Sequence, residues 1–507
     1  MLNTFLLRNV EIFDGTGNAP FRGDIVMKND RIISISPPAS VMDFPIAGGV
    51  IDGARYSVAP GFIDVHGHSE LDILDIPSGD NKIAQGFTSE IAGNCGFTEF
   101  MEKGMSFRDF EVETEQKKIA LNIAVMTGHN SLRTIVMGNE NRAPSNAELN
   151  EMERILRLTL QQGAAGFSAG LWYVPGIYAE TEELCRLASV LKGSGKPFSI
   201  HLRSEGDTLL ESIEEACKIA KCGDNILQIS HFKTWYPRNW HKLRKAVKLI
   251  RRNMQNGLSI ALDRYPYLYS GTGLRMALPP QFSQMPKEIL HEKLKNDETF
   301  RQEVIRITEQ AGPSDCPWEQ IMLLDSPQEA HKNFFGKNFV EIGKSMQCSP
   351  AEACIKLLAE EENPLGAFGL MSEDNLNEIL QLPFVMPGTD AGIQDFSKQN
   401  GHPRKFGTAA RFFQLAVKNG IPPQEVIRRM TSYPAAVFHL KNKGLIRENY
   451  DADLVLFDRE QLSAPEDYAH PAQPAKGIIA VWVNGVLSYT ENGGITGNRG
   501  GKFLKAQ

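Results

Sequence analysis

The stretch Ala59-Pro60-Gly61-Phe62-Ile63-Asp64-Val65-His66-Gly67-His68 ends an apolar run with two histidines one residue apart. On a β-strand, residues i and i+2 point to the same face, so His66 and His68 can reach one point together. A metal ion is what usually needs such a pair. It also needs further ligands from elsewhere in the chain.

Similar short apolar runs recur downstream, at residues 88–92, 122–126, 166–168, 197–201, 226–231, 258–263 and 384–387. Helical patterns separate most of them, for example over 147–162 and 209–221. Eight βα units within about 375 residues predict a (β/α)8 barrel with insertions, spanning 58–434. Between the seventh and eighth runs lies a stretch at about 278–345 that is rich in Pro, Gln and charge. It reads either as a lid-like insertion or as a passive surface excursion.

Outside the barrel, the first 57 residues are short β-like runs broken at Asp14-Gly15, Lys28-Asn29-Asp30 and Gly48-Gly49. Compact apolar runs return at 453–457 and 478–483, and Asn484-Gly485 is a strong hairpin turn. Residues 1–57 and 435–490 are therefore expected to build one small β domain from both termini. The tail 491–507, with Gly493, Gly494, Gly497 and Gly500, is expected to be mobile.

Composition narrows the class. The 507 residues are 42% hydrophobic and 23% charged, with a net charge of −7. That gives no basic footprint, so nucleic acid is not an expected partner. No run reaches the roughly 18 apolar residues of a membrane helix. The apolar start carries Arg8 and Glu11, lacks a signal-peptide pattern, and reads as a strand. Seven cysteines favour a reducing, cytoplasmic setting without a disulfide framework. Cys185, Cys217 and Cys354 fall in amphipathic stretches and read as core fillers. Cys95 differs, because Gly93 and Gly96 flank it.

Barrel chemistry sits at the C-terminal ends of strands. His66 and His68 end the first run, Cys95 follows the second, His201 ends the fifth, His231 ends the sixth, and Asp390 follows the eighth. A lone strand-end histidine is usually a hydrogen-bonded structural residue. Five His/Cys positions and an aspartate at the same end of one barrel point instead to a metal centre. Imidazole nitrogen and thiolate sulfur suit zinc, whereas Mg²⁺ and Ca²⁺ take oxygen ligands. The expected chemistry is hydrolysis by metal-bound hydroxide, because zinc polarises a carbonyl and lowers the pKa of its water to about 7. Asp390 is the candidate to take the proton and pass it to the leaving amine. Its alternative reading is a turn N-cap.

These residues lie in segments that resemble the amidohydrolase superfamily, and within it the N-acyl-D-amino-acid deacylase (D-aminoacylase) family. The segments are Pro60 to His68, Gly93-Asn94-Cys95-Gly96, Thr127-Gly128-His129, Gly170 to Pro175, His201 to Gly206, Ile229 to Lys233, Tyr265-Pro266-Tyr267, Gly388-Thr389-Asp390 and His402 to Thr408. The resemblance implies a β-sandwich beside a metal-bearing barrel. It implies hydrolysis of N-acyl-D-amino acids, with D-terminated dipeptides as further candidates. It implies a tighter zinc on Cys95, His201 and His231 and a weaker site on His66, His68 and Cys95. Many superfamily relatives bridge two metals with a carboxylated lysine on the fourth strand, but residues 166–170 contain none. The Cys95 thiolate can take the bridging role.

The resemblance also implies a clamp for the substrate α-carboxylate, formed by Lys233, Tyr265, Arg404 and Tyr173. Guanidinium and ammonium donors suit that task. Lys233 and Arg404 read alternatively as solvated charges, Tyr265 as a packing aromatic, and His129 as a pocket or structural residue. Arg275 is a weaker candidate partner for an acidic side chain, and Leu278 with its neighbouring prolines favours an apolar one. The runner-up activity is ring opening of the dihydroorotase or hydantoinase kind. An inactive barrel scaffold is the third reading.

Overall fold

The computed structural model describes residues 4–38, 48–312, 316–464 and 466–506. Parts of the expected first strand (1–3), insertion (313–315) and tail (507) lie outside the described residues.

Eight parallel strands form the barrel: Phe62–Asp64, Phe87–Ala92, Asn122–Val125 continued by Thr127–Gly128, Phe167–Gly170, Phe198–His201, Ile226–Ile229, Ser259–Arg264 and Val385–Pro387. The ring closes between the last strand and the first. Val65 N donates to Pro387 O at 3.3 Å, and Asp390 N donates to His66 O at 2.7 Å. Most strand positions are buried on both faces, which is why they read as continuous apolar runs rather than alternating ones. Ile63, Ile91, Ala124, Met126, Ala261 and Met386 pack within one cluster. The connecting helices carry clear start signals. Ser145 and Glu148 form a reciprocal cap before Asn146–Gln161.

Both termini build the small β domain. Among the described residues, nine strands share one hydrogen-bonded sheet, and Thr4–Ile12 pairs with Gly49–Asp52 along its first part and with Ser57–Pro60 along its last. Phe5, Leu7, Ile25, Leu454, Leu456 and Trp482 form its core.

Two expectations need correction. The insertion is wider than 278–345. Ser270–Gly273 and Leu365–Phe368 pair antiparallel, and Ile321–Asp325 joins the same sheet. The helices Lys287–Asn296, Glu298–Ala311, Phe339–Met346 and Pro350–Glu360 belong to this unit. They pack on its own core of Leu290, Leu294, Val304, Ile342 and Leu357. Ser270-Gly271-Thr272-Gly273 has no apolar side chain to mark it as a strand. The tail, expected to be mobile, is docked. Ile123 N donates to Lys502 O at 3.0 Å, Leu504 N to Ile123 O at 2.8 Å, and Ala506 N to Gly163 O at 3.1 Å. Its glycines allow close approach: a Cβ on Gly501 would lie 2.3 Å from Leu121 O, and one on Gly500 would lie 2.2 Å from Val483 O.

Candidate active site

All six expected strand-end side chains converge at the C-terminal mouth of the barrel. Cys95 Sγ lies 3.4 Å from His66 Nε2, 3.7 Å from His201 Nδ1 and 3.7 Å from His231 Nε2. Asp390 Oδ1 lies 3.3 Å from His68 Nε2 and 3.6 Å from His66 Nε2. Zinc takes sulfur at about 2.3 Å and nitrogen at about 2.0–2.1 Å, so tetrahedral ligands stand about 3.6 Å apart. The three sulfur–nitrogen distances match that spacing, and the ligand atoms of His66, Cys95 and His231 all lie within 4.8 Å of one another, which fits zinc.

The backbone turns these groups inward. Cys95, His231 and Asp390 have φ of 54°, 34° and 49°, a conformation that L residues seldom adopt. Gly96, with φ of 83°, makes the Cys95 turn possible, because a Cβ there would stand 2.2 Å from Asn130 Oδ1. The fourth strand, which has no lysine, contributes Ser168. Its hydroxyl donates to Gly93 O at 2.5 Å and accepts from Gly96 N at 3.1 Å, pinning the Cys95 loop from both sides.

Electrostatics split the four imidazoles: burial opposes protonation of His66 and His68, but Asp263 outweighs it at His66 and Asp390 at His68, which is lifted to about 10. Burial, reinforced by His231, holds His201 well below the usual imidazole range. Burial and then Lys233 do the same for His231. Both rings are thus neutral, the form that ligates metal. Burial pushes the Cys95 thiol up to about 11, and a bound cation reverses that by stabilising thiolate. Burial opposes ionisation of Asp390, but Arg404 and His231 outweigh it and hold the carboxyl well below its ordinary value.

Several site residues were not singled out from the sequence. Asp263 is the penultimate residue of the seventh strand and is fully buried. It lies 3.3 Å from His66 Nδ1 and accepts from His231 N at 2.9 Å and Gln228 Nε2 at 2.5 Å. Glu205 lies 2.9 Å from His231 Nδ1. Both signals were present as carboxylates at or just past strand ends. Beneath them, buried Lys82 donates to Asp64 Oδ2 at 2.6 Å and to Thr389 Oγ1 at 2.7 Å. Asp64 in turn accepts from His66 N at 3.1 Å. No spacing in the sequence marks Lys82.

The expected clamp residues stand around the Tyr265 ring. The Arg404 guanidinium is 4.7 Å from its centroid and Lys233 Nζ is 5.8 Å away. Arg404 Nη1 meets Asp390 Oδ2 at 2.9 Å, while its buried Nε has no partner. Lys233 is held by Glu205 at 2.5 Å. Tyr173 packs edge-on against His201, with ring centroids 4.8 Å apart. His129 lies outside this group, 2.8 Å from Glu183 Oε1. Arg275 donates to Met285 O at 2.8 Å within the insertion.

An amidohydrolase family model matches residues 373–493. An N-acyl-D-aspartate deacylase from Alcaligenes xylosoxydans xylosoxydans is 29% identical over 95% of this chain and 91% of its own length. A D-aminoacylase from the same organism is 28% identical over 98% of this chain and 97% of its own. The crystal structure of N-acyl-D-glutamate deacylase from Bordetella bronchiseptica, complexed with zinc and a phosphonate mimic of the tetrahedral intermediate, aligns with a TM-score of 0.81. It is 27% identical and covers all of both chains. The relatives that this chain matches nearly from end to end include D-aminoacylases and N-acyl-D-amino-acid deacylases.

Proposed function

We propose that this protein hydrolyses the amide bond of N-acyl-D-amino acids, releasing a carboxylate and a free D-amino acid. The observation that carries this reading is the convergence of Cys95 on three imidazole nitrogens at 3.4–3.7 Å, with the Asp390 carboxylate alongside. Cys95, His201 and His231 would hold the tighter zinc, and His66, His68 and Cys95 a second, weaker one. Zinc supplies Lewis-acid polarisation of the amide carbonyl and water acidic enough to attack near neutral pH.

The chain's own groups do the rest. Asp390, kept ionised by Arg404, accepts the proton of the attacking water and returns it to the departing nitrogen. Asp263 and Glu205 fix the ring orientations of His66 and His231. Arg404, with an unpaired buried Nε, and Lys233 bind the substrate α-carboxylate beside Tyr265. Arg404 also touches Asp390, so a carboxylate held there sits next to the group that protonates the amide nitrogen. With carboxylate and carbonyl both fixed, the two hands of the α-carbon differ in the direction of the side chain, so the hand accepted is the one whose side chain the site leaves room for.

The test is a set of paired N-acetyl-D and N-acetyl-L amino acids given to zinc-loaded enzyme. Hydrolysis of the D partner alone is expected. Equal rates on both hands, or ring opening of a hydantoin in preference to either, would overturn the assignment.

A further inference from the structure

Two helices of the barrel's outer wall, Thr181–Ala188 and Leu209–Cys222, meet along a regular seam. Thr181 Oγ1 donates to Glu215 Oε1 at 2.8 Å, and Lys218 Nζ reaches Glu182 Oε1 at 2.8 Å. One turn further along both helices the facing residues are Cys185 and Cys222. Their sulfurs share one acceptor, the carbonyl oxygen of Lys218, at 3.9 Å and 3.4 Å. Cys185 was expected to fill the core, but both thiols are only partly buried.

Cys222 opens onto a surface groove of about 450 Å³. Cys217 lines it too, with the cations Lys218, Lys221 and Arg252 against one carboxylate, Glu214. Cys217 is only 2% exposed. Lys218 pairs with Glu182 and Arg252 with Glu214, so Lys221 gives the groove its net positive charge, which suits a small anion, and the thiol at its edge suits a sulfur electrophile.

We propose that Cys185 and Cys222 form a dithiol that exchanges with small anionic disulfides and closes into a disulfide joining these two helices. The Cys222 thiolate attacks one sulfur of the small disulfide, whose S–S bond breaks and releases one thiolate. That leaving group picks up the proton given up by Cys222. The Cys185 thiolate then attacks the Cys222 sulfur of the mixed disulfide and expels the second small thiolate, which takes the Cys185 proton. Two electrons pass from the cysteine pair to the small disulfide, giving one protein disulfide and two small thiols. The order follows from position. Cys222 lines the groove, whereas burial and the neighbouring Cys222 push the Cys185 thiol up to about 12. The helix seam already holds the two residues together, which disulfide closure requires.

Reduced, zinc-loaded enzyme incubated with glutathione disulfide tests this by intact mass and peptide mapping. Wild type is expected to lose two hydrogens, with two of its seven thiols no longer titratable and Cys185 cross-linked to Cys222. Dithiothreitol reverses the change. Cys185→Ser is expected to stop at one glutathione adduct on Cys222, and Cys222→Ser to react at least tenfold more slowly. A stable adduct on wild type, a cross-link through Cys217, or no change in mass would each overturn the proposal. The wild-type readout stands even if a variant folds poorly.

Discussion

Asp390 has a carboxylate among two imidazoles and a guanidinium, and its φ of 49° aims it back into the barrel. Asp390→Asn preserves this shape and removes the proton acceptor. Zinc content should hold while turnover falls by about 10²–10⁴-fold, the usual worth of positioned proton transfer. Metal analysis alongside kcat separates the two effects, and near-normal turnover would place the base elsewhere. Asp263 works differently, because it touches His66 and the backbone of His231 rather than the reacting atoms. Asp263→Asn keeps the volume but loses the charge that orients His66 and raises its basicity. Zinc affinity should fall about 10–100-fold in a chelator competition. Retention equal to wild type would reduce Asp263 to a packing role.

At the scale of elements, the Cys95 loop is the most constrained part of the site. Gly96→Ala places a methyl 2.2 Å from Asn130 Oδ1 at a φ of 83°, so the loop must move and Cys95 with it. Lower zinc occupancy and a lower melting temperature are expected together. An unchanged zinc content would show that the loop absorbs the shift without moving the sulfur. The strands that carry these loops were legible in the sequence because burial on both faces leaves an unbroken apolar run, and chemistry begins where the run stops. The β-sheet of the insertion was not legible. Ser270–Gly273 is held by backbone pairing with Leu365–Phe368, and its small residues carry no periodic signal. Lys82 was hidden for a related reason. It sits in the four-residue helix Asp80–Ile83, and only the folded barrel brings it to Asp64, Glu90 and Thr389.

Across the whole molecule, the two ends of the barrel have different tasks. Zinc donors and the carboxylate clamp gather at the C-terminal mouth, while the chain's tail closes on the opposite end. There it bonds to Ile119, Ile123 and Gly163, and Lys196 Nζ donates to Ala506 O at 3.0 Å. The tail glycines look like flexibility in the sequence, yet Gly500 and Gly501 stand where any side chain would strike the backbone of Val483 or Leu121. Removing residues 500–507 strips those hydrogen bonds, each worth about 0.5–1.5 kcal/mol net. It also exposes the Ile123 edge of the third strand and leaves Lys196 with fewer acceptors. The melting temperature should drop by several degrees. The turnover of the fraction that stays folded should be unchanged, because the catalytic groups stand at the opposite ends of the strands. A truncated enzyme with normal melting and impaired turnover would reverse this division of labour and tie the tail to the chemistry at the far end of the barrel.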